Sequence, residues 1–461
     1  MKLRSHARGL ALAAATFAFL FCSSLELPAQ GQPSPPSAQF PTVSDPMLTP
    51  PAAAPQQIAS WDEVLDLIRA HSPDYISSYE STLRAEAQTK VAWSAVLPAL
   101  SAQGSYTHQL LAPLHFSVGG VAITTPPPDV ATLGGALSWS VLNPRGLYAL
   151  GTADRNTKLA RLSFEDKRRQ IAVTVVGAIL ATLVAARVAE LNRVGLRAAL
   201  ERLTLTQTRQ QYGQGTALDV DRAQQDVEAS RAAIIAGDES LLQSRESLGE
   251  ALGSAVPTAA SPRLDMEQFE AAVAHTCRLN EEIERRSDVA AARARVDLAG
   301  RAVTDAELMF APTVTVSSQL NYSTQPVLAP ATTWSLGGLL NVPLYDGGAR
   351  YGQLRDSRAA LEQARQALTV SRLDAMVGSA QARRAIAVLS QSRDVTLAQR
   401  DLAARIDRRT RDGYAQGLGT SLDLVTSAQA LRQSEINLAL LEFQVSQARA
   451  NAVLVNAECA Y

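Results

Sequence analysis

The chain has no proline between Arg145 and Val256, and none from Leu344 to Tyr461. Proline removes a backbone donor and clashes with the preceding turn, so only proline-free stretches permit very long helices. Residues 146–211 and 349–412 are rich in Ala, Leu, Arg and Gln, all good helix formers. At 1.5 Å per residue each would reach about 100 Å. Helices of that length belong to coiled-coil-like assemblies and not to compact domains. Ile171, Val175, Ile179, Leu183 and Leu191 mostly recur at helical spacing, so one face is buried. Only 5% of residues are aromatic, which suits Ala-rich helices packed at close range better than one thick core.

Beyond the N-terminal segment, prolines cluster at 98–144 and 312–343. There the texture changes to period two. In LGGALSWSV (133–141), Leu133, Leu137, Trp139 and Val141 alternate with Gly134, Ala136, Ser138 and Ser140. In TVTVSSQLNY (313–322), Val314, Val316, Leu320 and Tyr322 alternate with Thr315, Gln319 and Asn321. Segments 99–109 and 335–344 behave alike. Period two means strand. An apolar face opposite a small, polar, uncharged face is the pattern of outer-membrane barrel strands. A half-buried sheet of a soluble domain shows the same alternation.

The chain repeats itself. Asp74 in SPDYISSYE matches Asp288 in RSDVAAARA, and Pro98 in VLPALSAQ matches Pro312 in FAPTVTVS. LGGALSWSVLNPRGLYAL (133–150) matches LGGLLNVPLYDGGARYGQL (336–354). YGQGTALDVDRAQ (212–224) matches YAQGLGTSLDLVTSAQ (414–429), pairing Tyr212 with Tyr414, Gly215 with Gly417 and, after a two-residue insertion, Asp219 with Asp423. The expected fold is mainly α with a small β part, a duplicated helix–strand–strand–long helix–helix unit. The first repeat spans 58–260 with a hairpin over 98–144, the second 261–461 with a hairpin over 311–345. Two shorter helices, 74–96 and 217–252, together nearly equal the long one and can stack end to end beside it.

Residues 1–29 read as a secretory signal, with Lys2, Arg4 and Arg8 before an apolar run from Leu10 to Phe21. Cys22 suggests a lipoprotein, but Phe21 stands where a small residue is required. Residues 30–57 carry eight prolines and one charge, Asp45, and read as an extended tether. No later stretch is expected to hold the ~20 apolar residues of a membrane helix.

Four barrel-like strands cannot close a membrane barrel, whose smallest members have eight. Open edges in lipid leave backbone groups unpaired at several kcal/mol each. Three chains, giving twelve strands and a ring of helical columns, are the natural closure.

On these features the chain resembles the TolC-like outer-membrane channels of efflux pumps and type I secretion systems. The resemblance covers about residues 58–458. It rests on Ser72-Pro73-Asp74, Arg286-Ser287-Asp288, Pro98, Pro312, VPLYDGG at 342–348 and the two Tyr-x-x-Gly…Asp turns. It implies a homotrimer with a twelve-stranded β-barrel in outer-membrane lipid and a long α-helical barrel in the periplasm. It implies a periplasmic adaptor and an inner-membrane transporter as partners, small-molecule efflux with protein secretion as the alternative, and no catalytic site or cofactor.

The turns after the long helices lie farthest from the strands. Gly215 and Gly417 suit a left-handed or tight backbone, and Asp219 and Asp423 can cap the following helices. The resemblance makes this tip the periplasmic entrance and adaptor contact, formed by Tyr212, Gly215, Thr216, Asp219, Tyr414, Gly417, Leu418 and Asp423. Three copies of Asp423 would form an acidic ring. Gly419 and Thr426 replace a basic and an acidic residue of some relatives, and the first turn reads two residues shorter than the second. Tyr106, Trp139, Tyr322 and Trp334 are candidates for an interface belt or for barrel packing. Trp61 and Trp93 read as helix-packing residues.

A net charge of -1 argues against nucleic acid. The five histidines form no pair at metal-ligand spacing, and His275 with Cys277 offers too few ligands. Three cysteines exclude a disulfide-built scaffold. Cys277 lies between the repeats, and Cys459 ends the last helix about 57 Å above its start at 421. A disulfide is allowed in the periplasm, but sequence does not bring the two Cα atoms within reach. A periplasmic coiled-coil adaptor is the rival reading. It lacks two strand hairpins and a duplicated long helix. A secreted enzyme would need convergent titratable groups, which the sequence does not supply.

Overall fold

The protein is described here by a computed structural model over residues 43–108, 110, 114–125, 129–261, 266–279, 282–324, 331–455 and 457–459. The expected signal segment and the linker through Thr42 lie outside these residues. The described chain runs β1 (Gln56–Ile58), α1 (Trp61–His71), α2 (Pro73–Ser94), β2 (Ala99–His108), β3 (Leu114–Val118), β4 (Val121–Thr125), β5 (Asp129–Leu142), α3 (Pro144–Gln211), α4 (Ala217–Ala251), β6 (Thr258–Ala260) and α5 (Met266–Thr276). It continues with β7 (Cys277–Leu279), α6 (Ser287–Leu308), β8 (Thr313–Ser323), β9 (Thr332–Asn341), α7 (Ala349–Ala415), α8 (Ser421–Val455) and β10 (Ala457–Cys459).

The proline boundaries set the helices. Pro144 occupies the first turn of α3, where its missing N–H costs nothing. The Asn143 side chain caps that end by accepting from Gly146 N at 2.9 Å. Ser72 caps α2 in the same way, with Pro73 following.

Helix α3 is the central column. It packs on α2 and α4 on one side and on α6 and α8 on the other, whereas the main helical neighbours of α7 are α6 and α8. The pairs α2/α4 and α6/α8 therefore run beside the long helices, as their lengths require. Eighteen residues of α3 are buried but only seven of α7, although the two helices differ by one residue in length. Ion pairs tie α3 to both flanks. Arg145 grips Asp305 of α6 with Nη2 at 2.8 Å, and Arg161 reaches Glu86 of α2 at 2.8 Å.

The sheet order is β2-β5-β8-β9, all antiparallel, so the two hairpins join through β5 and β8. Each strand has 10 to 14 residues, close to the ~9–11 that cross a membrane when tilted. Both edge strands, β2 and β9, are exposed along their whole length. The only charged or titrating side chains in the four strands besides Tyr are His108 and Asp129, which pair at the far end. Between β2 and β5 the first hairpin carries a second, smaller one, β3–β4.

The main core is a belt at mid-height. It joins Ile58, Trp61, Val64 and Ile68 to Ile171–Leu180 of α3, Leu248 and Leu252 of α4, Phe269 and Val273 of α5, and Ala450 and Leu454 of α8. Trp61 meets Phe269 edge-on at 5.7 Å. Trp93, expected to pack between helices, is instead half exposed in the single chain. Helix α3 contains one stretch long and apolar enough to cross a membrane, which corrects the expectation of none. Its Ile171, Val175, Val176, Ile179 and Leu180 belong to this core, so packing accounts for the apolarity.

From Val43 onward the expected tether is docked. Asp45 pairs with Arg231 of α4 at 2.8 Å, Val43, Met47 and Leu48 pack on Leu196, Leu200 and Ile234, and β1 pairs in parallel with β6. The end of α4 stacks on the α1–α2 corner through Gly253. Its φ is +83°, and a Cβ there would lie 2.3 Å from the His71 carbonyl oxygen. A left-handed backbone alone costs a non-glycine residue about 1–2 kcal/mol, before the clash. Gly253→Ala is expected to lower the thermal midpoint of helix loss, followed by circular dichroism. An unchanged midpoint would mean that the corner steps aside.

Candidate functional site

Both long helices end in the same motif. Gly213 and Gly417 take the left-handed conformation, with φ of +72° and +80°. Gly213 N donates to Gln210 O and Gln214 N to Arg209 O, while Gly417 N donates to Tyr414 O and Leu418 N to Gly413 O. These paired bonds satisfy the orphan carbonyls of a helix end. The turns therefore superimpose Gly213 on Gly417, Gly215 on Gly419, Thr216 on Thr420 and Asp219 on Asp423. This corrects the sequence matching. The two turns have equal length, and Tyr212 is not the counterpart of Tyr414. Tyr212 is 77% exposed and Tyr414 only 4%. Gly215 is the tight position, where a Cβ would lie 3.3 Å from Gln210 N, and Gly213 is the left-handed one.

The caps differ in detail from expectation too. Thr216 and Thr420 are the capping residues, and the aspartates stand three positions later, closing each cap reciprocally. Asp219 accepts from Thr216 N at 2.9 Å and Thr216 Oγ1 at 2.8 Å. Asp423 accepts from Thr420 N at 3.2 Å and Thr420 Oγ1 at 2.7 Å. Thr426 spends its hydroxyl on the Leu422 carbonyl of its own helix. Leu418, in the second turn, is 83% exposed.

Asp219 and Tyr414 also meet the other repeat. Ser421 Oγ donates to Asp219 Oδ1, and Arg209 donates to the Tyr414 carbonyl oxygen. The Arg209 guanidinium lies 4.5 Å from the centre of the Tyr414 ring. Four side chains thus latch the α3–α4 tip to the α7–α8 tip. One layer inward, Arg202 Nη2 reaches Asp226 Oδ2 at 2.5 Å, and Gln429 Nε2 of α8 donates to Asp226 Oδ1 at 3.0 Å. Arg209, Ser421 and this inner relay escaped the sequence reading. A basic residue in the last turn of α3 was the available signal for Arg209.

The Ser421 hydroxyl, and then Thr216, hold the Asp219 carboxyl below the usual carboxylate range, and burial pushes the Tyr414 phenol up. A depressed carboxyl pKa stabilises the folded tip above its unfolded value of about 3.9, and that stabilisation is lost as pH falls through the folded value. The emission of a dye attached at position 418 is therefore expected to stay flat from pH 8 to 5 and to change, as the tip loosens, only below about pH 4. A change between pH 5 and 7 would assign the latch to another group.

In the sheet, Trp139 lies near the helical end, opposite Val316. Tyr106, Tyr322 and Trp334 lie towards the far end, opposite Ala131, Thr332 and Leu320. All four are exposed in the single chain. Trp139 Nε1 donates to the Val96 carbonyl at 3.0 Å and Trp334 Nε1 to Ser318 Oγ at 2.9 Å. Among the described residues, no group of three or more His, Cys, Asp or Glu is placed to hold a metal ion.

A sheet of membrane-length strands set above paired helical columns defines a class of outer-membrane channel. The outer membrane efflux protein family matches residues 64–254 and 279–453, one stretch in each half of the chain. The chain belongs to that family. It is an efflux channel of the outer membrane that extends into the periplasm, and it is not an enzyme. A membrane protein from Pseudomonas aeruginosa has the same fold, with a TM-score of 0.72 at 20% identity over 90% of this chain and 99% of the other. The outer membrane protein VceC from Vibrio cholerae gives 0.69 at 17% identity, covering 87% and 96%. The Campylobacter jejuni CmeC outer membrane channel gives 0.73 at 14% identity, covering 87% and 86%. Among curated protein sequences there is no match.

Proposed function

We propose that three copies of this chain form the exit channel of a tripartite efflux system. The observation that carries the reading is that the single chain is unfinished at both sides. Its sheet ends in two fully exposed edge strands. Its outer helical columns expose apolar stripes: Val388, Val395 and Leu402 at seven-residue spacing on α7, Ile76, Tyr79 and Leu83 on α2, and Ile235 and Leu242 on α4. Joining β9 and α7 of one protomer to β2 and α2/α4 of the next satisfies edges and stripes together. Three such joints close twelve strands and twelve helical columns around a lumen.

In this assembly the two repeats, 58–260 and 261–461, contribute alternate columns. Trp139 marks the periplasmic side of the lipid, and Tyr106, Tyr322 and Trp334 the outer side. The tips with Tyr212, Gly215, Thr216, Asp219, Tyr414, Gly417, Leu418 and Asp423 form the periplasmic entrance, where a periplasmic adaptor docks and couples the channel to an inner-membrane transporter. Small molecules are the cargo, and the energy comes from the transporter.

A photo-crosslinker at Leu418 in living cells tests this reading, with captured proteins identified by mass spectrometry. Capture of a periplasmic adaptor supports the entrance, and the adaptor's type names the pump class. Capture of outer-membrane or extracellular components alone would reverse the orientation and sink the proposal.

A further inference from the structure

We propose that Cys277 and Cys459 form an intrachain disulfide that staples the C-terminal end of the chain to the segment between the repeats. The two cysteines are far apart in sequence, yet β7 and β10 pair antiparallel with Cys459 opposite Cys277, Glu458 opposite Arg278 and Ala457 opposite Leu279. Directly opposed residues of an antiparallel pair have Cα atoms about 4.5 or 5.5 Å apart. Both spacings fall within the ~4.4–6.8 Å that a disulfide bridges.

The surroundings hold the two strands together before any bond forms. Strand β7 follows α5 directly, and β10 follows α8. Phe269 and Val273 of α5 share the mid-height core with Ala450 and Leu454 of α8. The ladder itself has three residues on each strand, and a lone two-stranded ladder is marginal in water. A covalent bond at its end would fix it. It would also close residues 277–459, most of the second repeat, into one loop, which constrains the unfolded chain most when the loop is long.

The cysteine inventory agrees. The chain has three cysteines, and Cys22 lies in the expected signal segment. The exported chain then holds one pair. Disulfides form and persist in the periplasm and not in the cytosol. The oxidant is a protein disulfide of a periplasmic thiol oxidoreductase. One cysteine thiolate attacks that disulfide and gives a mixed disulfide, and the second thiolate displaces the oxidoreductase thiolate. The two cysteines lose two electrons and two protons in all, and the oxidoreductase leaves as a dithiol.

The test uses the full chain, exported and recovered from the outer-membrane fraction, denatured in excess maleimide without reductant. The expected result is no maleimide on either cysteine before reduction, two after it, and a linked Cys277–Cys459 peptide by mass spectrometry. Two free thiols in that material would overturn the proposal, and so would bonds between chains. Cys277→Ser and Cys459→Ser are each expected to leave one reactive thiol. Reductant should lower the temperature at which the wild-type protein loses its helical signal and leave the Cys277→Ser/Cys459→Ser double variant unmoved. An equal shift in both proteins would remove the staple's role. The inference rests on the periplasmic position of the helices and not on the trimer or its partners. Recovery in the outer-membrane fraction checks that position separately.

Discussion

Val388→Asp combined with Val395→Asp is expected to leave the chain helical and monomeric. Both side chains are more than half exposed in the single chain, on the outer column with few buried residues. The substitutions therefore remove little packing within the protomer. In the proposed trimer the same positions are covered, and each aspartate would bring an unpaired carboxylate into an apolar seam. Burying a charge without a partner costs several kcal/mol, and the ring repeats the pair three times. The expected readout is complete loss of the trimer on native gels, with a normal helical circular dichroism spectrum. A stable trimer carrying both aspartates would show that this stripe faces solvent or lumen, and the proposed joint would fall with it.

The second large effect lies at the tip. Arg209→Ala removes both the hydrogen bond to the Tyr414 carbonyl and the stacking on its ring. A charge-assisted hydrogen bond contributes about 1.5–3 kcal/mol, and a cation over a ring about 0.5–2. Solvent at this partly buried site discounts the sum, so about 2 kcal/mol per protomer is a fair scale. In the proposed trimer, three copies acting on one entrance would supply about 6 kcal/mol, enough to invert a closed-to-open ratio. In planar bilayers, Arg209→Ala is expected to raise open probability at least tenfold and to lengthen openings. Arg209→Lys should fall between, because an ammonium keeps the charge but lacks the planar fork. Wild-type conductance in both variants would move the gate elsewhere, with the inner Arg202–Asp226–Gln429 relay as the next candidate.

Much of this fold is legible without coordinates, and the reasons are local. Proline gaps place α3 and α7 to within a few residues because proline cannot enter a helix interior. Alternation places β2, β5, β8 and β9 because one face of each strand differs from the other. What was not legible depends on partners. Helices α3 and α7 differ by one residue in length and have similar texture, yet one is central and the other lies at the edge. Sequence does not say which column another chain will cover. The proline-rich segment reads as a tether by composition, but Asp45, Met47 and Leu48 are enough to dock it. At the tips, the shared letters of Tyr212 and Tyr414 suggested a pairing that the backbone overrules. Hydrogen bonds at Gly213 and Gly417 set the register, and they leave Tyr212 outside the latch and Tyr414 within it. Arg209 was missed because its partner is a carbonyl group, which no residue type reveals.

If the four-stranded sheet is one third of a closed barrel, three chains must associate. Native mass spectrometry of the protein, extracted from outer membranes in mild detergent, counts the chains directly. Three chains per particle is the predicted result. One, two or four chains per particle would contradict it.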